Sequence, residues 1–187
     1  MPRYRAVNEV VATLAGSPIA ENFAKVLDPG ADEIERHTTV YDALTGESLT
    51  GHPIHPALVH FPIGITVAAA ALELLGRRRH RSAITVLSGI AVGVAIPTAA
   101  TGMAEWAKGR QDNRRRRVGA LHAVAAEAGT TLASMSLMLR LRRKDTAAGW
   151  LLFAAAAAYG TAGFLGGDLV YGRDLGHEGT YVGEGVA

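Results

Sequence analysis

Ala83–Ala104 reads AITVLSGIAVGVAIPTAATGMA, 22 residues without one charged side chain. At ~1.5 Å per residue, a helix of that length reaches across the ~30 Å hydrocarbon core of a bilayer. Three further apolar blocks flank it: Ala57–Leu75 before, Val118–Leu139 and Ala147–Gly166 after. Each is close to the ~20 residues that one crossing needs. Basic clusters separate them at Arg77–Arg81, Lys108–Arg117 and Arg140–Lys144, which are read as short loops between the helices. Four such blocks in a row predict an all-α chain with a four-helix transmembrane bundle over residues 51–171.

Residues 1–50 are of another kind. They hold eight acids against Arg3, Arg5, Lys25 and Arg36, and are read as a soluble or amphipathic helical segment. Val7, Val10, Val11 and Leu14 follow the spacing of one helix face. Ser17-Pro18 and Asp28-Pro29 each place a capping side chain before a proline, so two further helices are expected to start there. Their buried positions are read as Phe23, Val26 and Leu27, then Ile34, Tyr41 and Leu44. Fifty residues rarely make a stable core alone, so the segment should pack on the bundle, lie on the bilayer or dock a partner. The glycine-rich stretch 172–187 is read as a flexible tail.

The formal net charge of +2 hides this division, because the excess base sits in the loops. There it faces anionic lipid headgroups, so the lipid bilayer is the expected partner and nucleic acid is not. Cysteine is absent. Disulfides, thiolate-bound iron–sulfur clusters and the thioether attachment of c-type haem are therefore excluded. Met1–Val10 lacks an uninterrupted apolar run, so insertion into the cell (inner) membrane as a multi-pass protein should use the chain's own helices. Basic residues near the two faces number seven and eight, a balance that sets no orientation. The polar N-terminal segment without an export signal tips the termini toward the cytoplasm.

Gly89 with Gly93, and Gly163 with Gly167, have the spacing at which membrane helices approach closely. Pro62 and Pro97 interrupt two ladders and predict kinks. Nothing in the sequence forms a phosphate loop, a nucleophile elbow or a zinc-protease helix, so no enzyme class is indicated.

Alternating helix direction gathers most of the polar groups within the blocks at one end. His52, His55 and His60 open the first block, Glu105 and Trp106 end the second, His122 and Glu127 begin the third, and Asp168 and Tyr171 close the fourth. His60 and His122 lie at matched depth. Two imidazoles on different helices are what the axial positions of b-type haem require. Gly64, Ala68, Ala126 and Gly129 continue the same two faces with small side chains. A second reading is a zinc, copper or iron site using His55, His60 and His122 with Glu127 or Glu105. A third is structural, with the imidazoles satisfying helix ends and no cofactor bound. Glu127, an ionisable group inside a block, is also a candidate proton carrier. Glu73 and Glu105, near block ends, are read as solvated.

The pattern Gly51-His52-Pro53-Ile54-His55-Pro56, with Pro62-Ile63-Gly64, Ala99-Ala100-Thr101-Gly102-Met103-Ala104-Glu105-Trp106, Arg117 to His122, and Gly166-Gly167-Asp168-Leu169-Val170-Tyr171, resembles a bacterial family of four-helix membrane domains of unknown function. Some members are fused to Rieske-type ferredoxin domains. The resemblance implies a redox setting, with a separate protein supplying the electron-transfer partner. The family commonly carries Asn at the position of Ala126 and does not fix His60, so His55 stands beside His60 as the partner of His122. The expectation is a redox or electron-transfer module binding haem b, with a cofactor-free membrane anchor or assembly scaffold, or a proton- or metal-ion-handling protein, as alternatives. Each is compatible with an oligomer.

Overall fold

The computed structural model describes residues 2–171, with side chains over 9–170, so the tail and the Tyr171 side chain lie outside the described residues. Every regular element there is helical: α1 (Pro2–Ala15), α2 (Pro18–Arg36), α3 (Thr38–Thr45), α4 (Glu47–Thr50), α5 (His55–Leu58), α6 (His60–Gly109), α7 (Asn113–Leu141) and α8 (Asp145–Tyr171).

The 50 residues of α6 form two rods, because Gly76 inside it has φ 145° and ψ 82°. Side chains exclude that conformation and glycine does not. Ala69 and Ala70 pack on Ile84 close to this point, while His55 meets Thr98 and Thr101 far from it. Rods 60–75 and 77–109 therefore run antiparallel. The expected loop over Arg77–Arg81 is corrected: one glycine makes the reversal, and the arginines form the first turn of the second rod. Kinks were expected at the prolines, yet Gly76 is the non-helical position within α6. Pro62 lies in the first turn, where its missing N–H has no intrahelical partner to lose. Pro97 is carried inside the rod, with Thr98 Oγ1 donating to the Val94 carbonyl at 2.7 Å.

Asp112 starts α7 by accepting from the Arg115 amide at 2.7 Å. α7 and α8 then form a hairpin whose antiparallel sense is fixed by three contacts. Ser136 Oγ donates to the Ala148 carbonyl at 2.7 Å, Thr130 and Tyr159 share a hydrogen bond of 3.0 Å, and Arg114 meets Asp168 at 2.8 Å.

Many large apolar side chains face outward. Many buried positions are small or hydroxylic, among them Ala69, Ala91, Ala95, Ala133, Ala155, Thr66, Ser88 and Ser136, beside a few large ones such as Ile84 and Leu152, while Phe61, Leu74, Leu75, Ile96, Met138, Trp150 and Phe164 are exposed. Large apolar groups facing outward along every rod are what lipid contact requires. His55–Gly109 and Asp145–Val170 are long and apolar enough to cross a membrane by length and composition. α7 is more polar, since its block 118–139 includes His122, Glu127, Thr130, Thr131, Ser134 and Ser136. The close approaches fall at other glycines than those expected. A Cβ at Gly89, Gly93 or Gly167 would meet open space, whereas one at Gly119, Gly129 or Gly149 would strike Trp106, Tyr159 or Glu73.

The N-terminal segment packs on this assembly. Ala24 and Ala31 of α2 bury against Trp106, Ala107 and Ala120, and Val11 and Ala15 of α1 against Val118 and Leu165. Phe23 and Val26, expected inside, are exposed, because the contact is made through the alanine face of α2. Of the expected helix starts, Ser17 caps α2 by accepting from the Ala20 amide. The Asp28-Pro29 start is corrected: α2 runs through Pro29, and Asp28 is occupied instead by Arg116 at 2.6 Å. Acids on α2 and bases around the start of α7 make a continuous clamp. Arg116 also grips Glu21 at 3.1 Å, Arg117 reaches the same carboxylate, and Arg110 holds Asp32 and Glu35 at 2.6 Å each.

Hydrogen bonding from Arg116, helped by the charges of Arg116 and Arg117, holds the Glu21 carboxyl below its ordinary value of 4.5. A carboxyl whose pKa falls on folding contributes stability above its unfolded pKa and loses it as pH drops through the folded value. Acidification from pH 7 to below 4.5 should therefore loosen α2. The expected readout is lower amide protection, relative to the intrinsic rate at each pH, over residues 18–36 and a changed Trp106 emission, with the rods unaffected. Protection in α2 that is unchanged across this range would remove Glu21 from the clamp.

Candidate functional site

The end of the rods nearest α5 brings His55 and His122 together. The prolines at 53 and 56 favour extended or turn conformations in the residues before them, so the chain enters α5 through a short stiff turn. The turn is anchored where the Ile54 amide donates to the Thr45 carbonyl at 3.0 Å. His55, at the first position of α5, is thereby aimed into the end of rod 77–109. Its Nδ1 lies 3.1 Å from the Thr98 carbonyl and 3.2 Å from Thr101 Oγ1. His122, on α7, places its Nδ1 2.7 Å from the Ala162 carbonyl of α8. A carbonyl can only accept, so in each ring Nδ1 carries the proton and Nε2 of the neutral imidazole is left with its lone pair. The two rings face one another edge-on, with centroids 6.1 Å apart and planes at 87°.

Two glycines make this pairing sterically feasible. A Cβ at Gly102 would stand 2.7 Å from His55 Cε1 and 3.2 Å from its Nε2, and one at Gly166 would stand 3.2 Å from His122 Cε1. Gly102 and Thr101 belong to the Ala99–Trp106 stretch whose pattern was visible in the sequence, although no role for them could be read from it. The carbonyls of Thr98 and Ala162 left no sequence signal, since any residue supplies one.

The remaining candidates are placed apart. His60 is exposed and its Nδ1 approaches only the Ala57 carbonyl at 3.3 Å, so His55 is the imidazole that neighbours His122. His52 is exposed at the entry turn, where Thr50 Oγ1 donates to its carbonyl. Glu127 is exposed on α7, and Asp168 is taken by Arg114. Glu105 is half-buried, with Oε1 unpartnered. Among the described residues, no group of three or more His, Asp or Glu stands close enough to hold a metal ion. The set His55, His60, His122 and Glu127 is thus not assembled there.

The family of predicted membrane proteins designated DUF2231 matches residues 51–179, more than half of the chain. The chain belongs to this family. No curated protein and no solved structure matches it. Within the DUF2231 match lie both imidazoles, the two glycines against them and all of α5 to α8, while the α1–α4 segment precedes it.

A second polar layer lies at the other end of the DUF2231 region. Glu73, expected in solvent, is buried, and its Oε2 accepts from Arg140 Nη2 at 2.7 Å; the two side chains are 4% and 0% exposed. Arg140 was expected in a loop. It is instead the last turn of α7, with Arg81 Nη2 donating to its carbonyl at 2.5 Å and Asp145 joining Arg81 at 3.1 Å. Gly149 allows the Glu73 carboxylate to lie directly on α8.

Proposed function

We propose that this DUF2231 protein is a multi-pass protein of the cell membrane whose two rods of α6, with α7 and α8, cross as a four-helix bundle with cytoplasmic termini. In this reading it serves as an electron-transfer module, in which His55 and His122 would hold a b-type haem and a separate redox protein would be the partner. The supporting observation is the pair itself: two neutral imidazoles, each fixed through Nδ1 by a backbone carbonyl, with Nε2 free. Metal-binding histidines are held through the other nitrogen in the same way. The two rings are neighbours, with centres 6.1 Å apart, and Gly102 leaves the room beside the His55 Cε1 that a Cβ would fill. A haem held there would supply a one-electron couple. The protein's part is to orient the two imidazoles through the Thr98 and Ala162 carbonyls.

Full-length protein purified in detergent after expression with haem supply should show a Soret band, together with iron by elemental analysis. His122→Ala and His55→Ala should each abolish or shift that band, and His60→Ala should leave it unchanged. A protein that folds without Soret absorbance, or a His122→Ala spectrum like that of the parent, would sink the haem assignment.

A cofactor-free anchor or assembly scaffold is the second reading. It is favoured by the same hydrogen bonds taken as cross-braces, His55 tying α5 to rod 77–109 and His122 tying α7 to α8. It predicts folded protein with neither iron nor another metal, and lower thermal stability in both histidine variants.

A further inference from the structure

At the end away from the histidines, a cleft of about 710 Å³ opens between the Gly76 reversal and the first turns of α8. Leu74, Arg77, Arg78, Arg79, Trp150 and Phe153 are among its walls. Its charge is one-sided. Glu73 on the floor is already claimed by Arg140 at 2.7 Å and Arg77 at 3.6 Å. Arg78 and Arg79 are exposed and make no ion pair among the described residues. Its other walls are apolar and open, with Leu74 76% and Trp150 71% exposed. Trp150 lies five residues into α8, about 7 Å along the axis, a level at which interfacial aromatics stand when a helix enters a bilayer.

A small soluble anion would use the guanidinium groups and leave the tryptophan and leucine in water. A zwitterionic lipid would use the apolar walls, but its own cation would meet the arginines. Only a ligand with an anionic head and an acyl chain satisfies both halves. We propose that this cleft is a binding site for one anionic phospholipid, its phosphate set against Arg77, Arg78 and Arg79 and an acyl chain laid over Trp150, Phe153 and Leu74. The proposal rests on the chain residing in a membrane and is independent of any cofactor at the histidines.

The test is quenching of tryptophan emission in the full-length protein by lipids brominated on the acyl chain, with Trp150→Phe identifying the share that belongs to Trp150. Brominated phosphatidylglycerol should quench Trp150 at a severalfold lower mole fraction than brominated phosphatidylcholine. The Arg78→Gln/Arg79→Gln double variant should erase that preference, and since both side chains are exposed and unpaired it should fold as the parent does. Inorganic phosphate should not displace the lipid. Equal quenching by the two lipids would overturn the site, and displacement by millimolar phosphate would reassign it to a free anion. If neither lipid quenches Trp150 and the protein stays folded without detergent, the membrane reading itself fails.

Discussion

Replacing Arg140 by methionine is expected to destabilise the folded protein by about 3–5 kcal/mol, read as a large fall in melting temperature in detergent. The size follows from what is left behind. Glu73 is 4% exposed and takes its closest hydrogen bond from Arg140, so the variant strands a carboxylate away from water. Arg77, at 3.6 Å from the other oxygen, offers partial relief and draws the loss toward the lower figure. The Arg81 contact is spared, because it uses the Arg140 carbonyl and not its side chain. Pairing the change with Glu73→Gln removes the stranded charge, and Glu73→Gln/Arg140→Met should recover most of the loss. Arg140 Nε and Nη1 have no hydrogen-bond partner even in the parent, so the pair is costly to maintain and costly to break from one side. A single variant melting with the parent, or a double variant as unstable as the single one, would show that the two groups do not interact in the folded protein.

That ion pair was illegible in the sequence for a physical reason. Glu73 and Arg140 each sit at the edge of an apolar block, where a charged side chain reaches water as easily as protein, and only the register of α6 against α7 decides between them. The apolar blocks were legible because a helix buried in lipid needs a long run without charge. Their boundaries were not, since Gly76 reverses the chain in one residue and leaves Arg77–Arg81 helical. The same limit applied to the small residues. Gly89 and Gly93 have the spacing of a packing face but point to open space, while Gly102 and Gly166 at the imidazoles were known only as parts of a pattern. At the candidate site, His122 at the same end as the entry histidines followed from helix direction. The preference for His55 over His60 did not, because it depends on how the turn through Pro53 and Pro56 aims one ring inward and leaves the other exposed. In the N-terminal segment the acidic character was plain, yet the buried face is made by Ala20, Ala24 and Ala31, which apolar periodicity weighted toward larger side chains passes over.

Gly129 of α7 lies against the Tyr159 ring of α8, and Gly129→Leu is expected to cost about 1–3 kcal/mol or more by overpacking. A Cβ there would stand 2.8 to 3.0 Å from three atoms of the Tyr159 ring. The ring has little freedom to yield: Tyr159 is 3% exposed and its hydroxyl is tied to Thr130 at 3.0 Å, one residue from the glycine. Alanine makes the diagnosis sharper than leucine. Gly→Ala inside a helix gains about 0.5–1 kcal/mol from backbone entropy, so Gly129→Ala sets that gain against the clash and should still be destabilising. In a Tyr159→Ala background the clash is gone and the same substitution should become stabilising, a reversal of sign within one double-mutant cycle. Gly93→Ala, with nothing within 4 Å of its Cβ, should stabilise in either background. If Gly129→Ala stabilised the parent as well, α7 and α8 would have to stand further apart at this level. The register that brings His122 to the Ala162 carbonyl, two turns along the same helix pair, would then lose its basis.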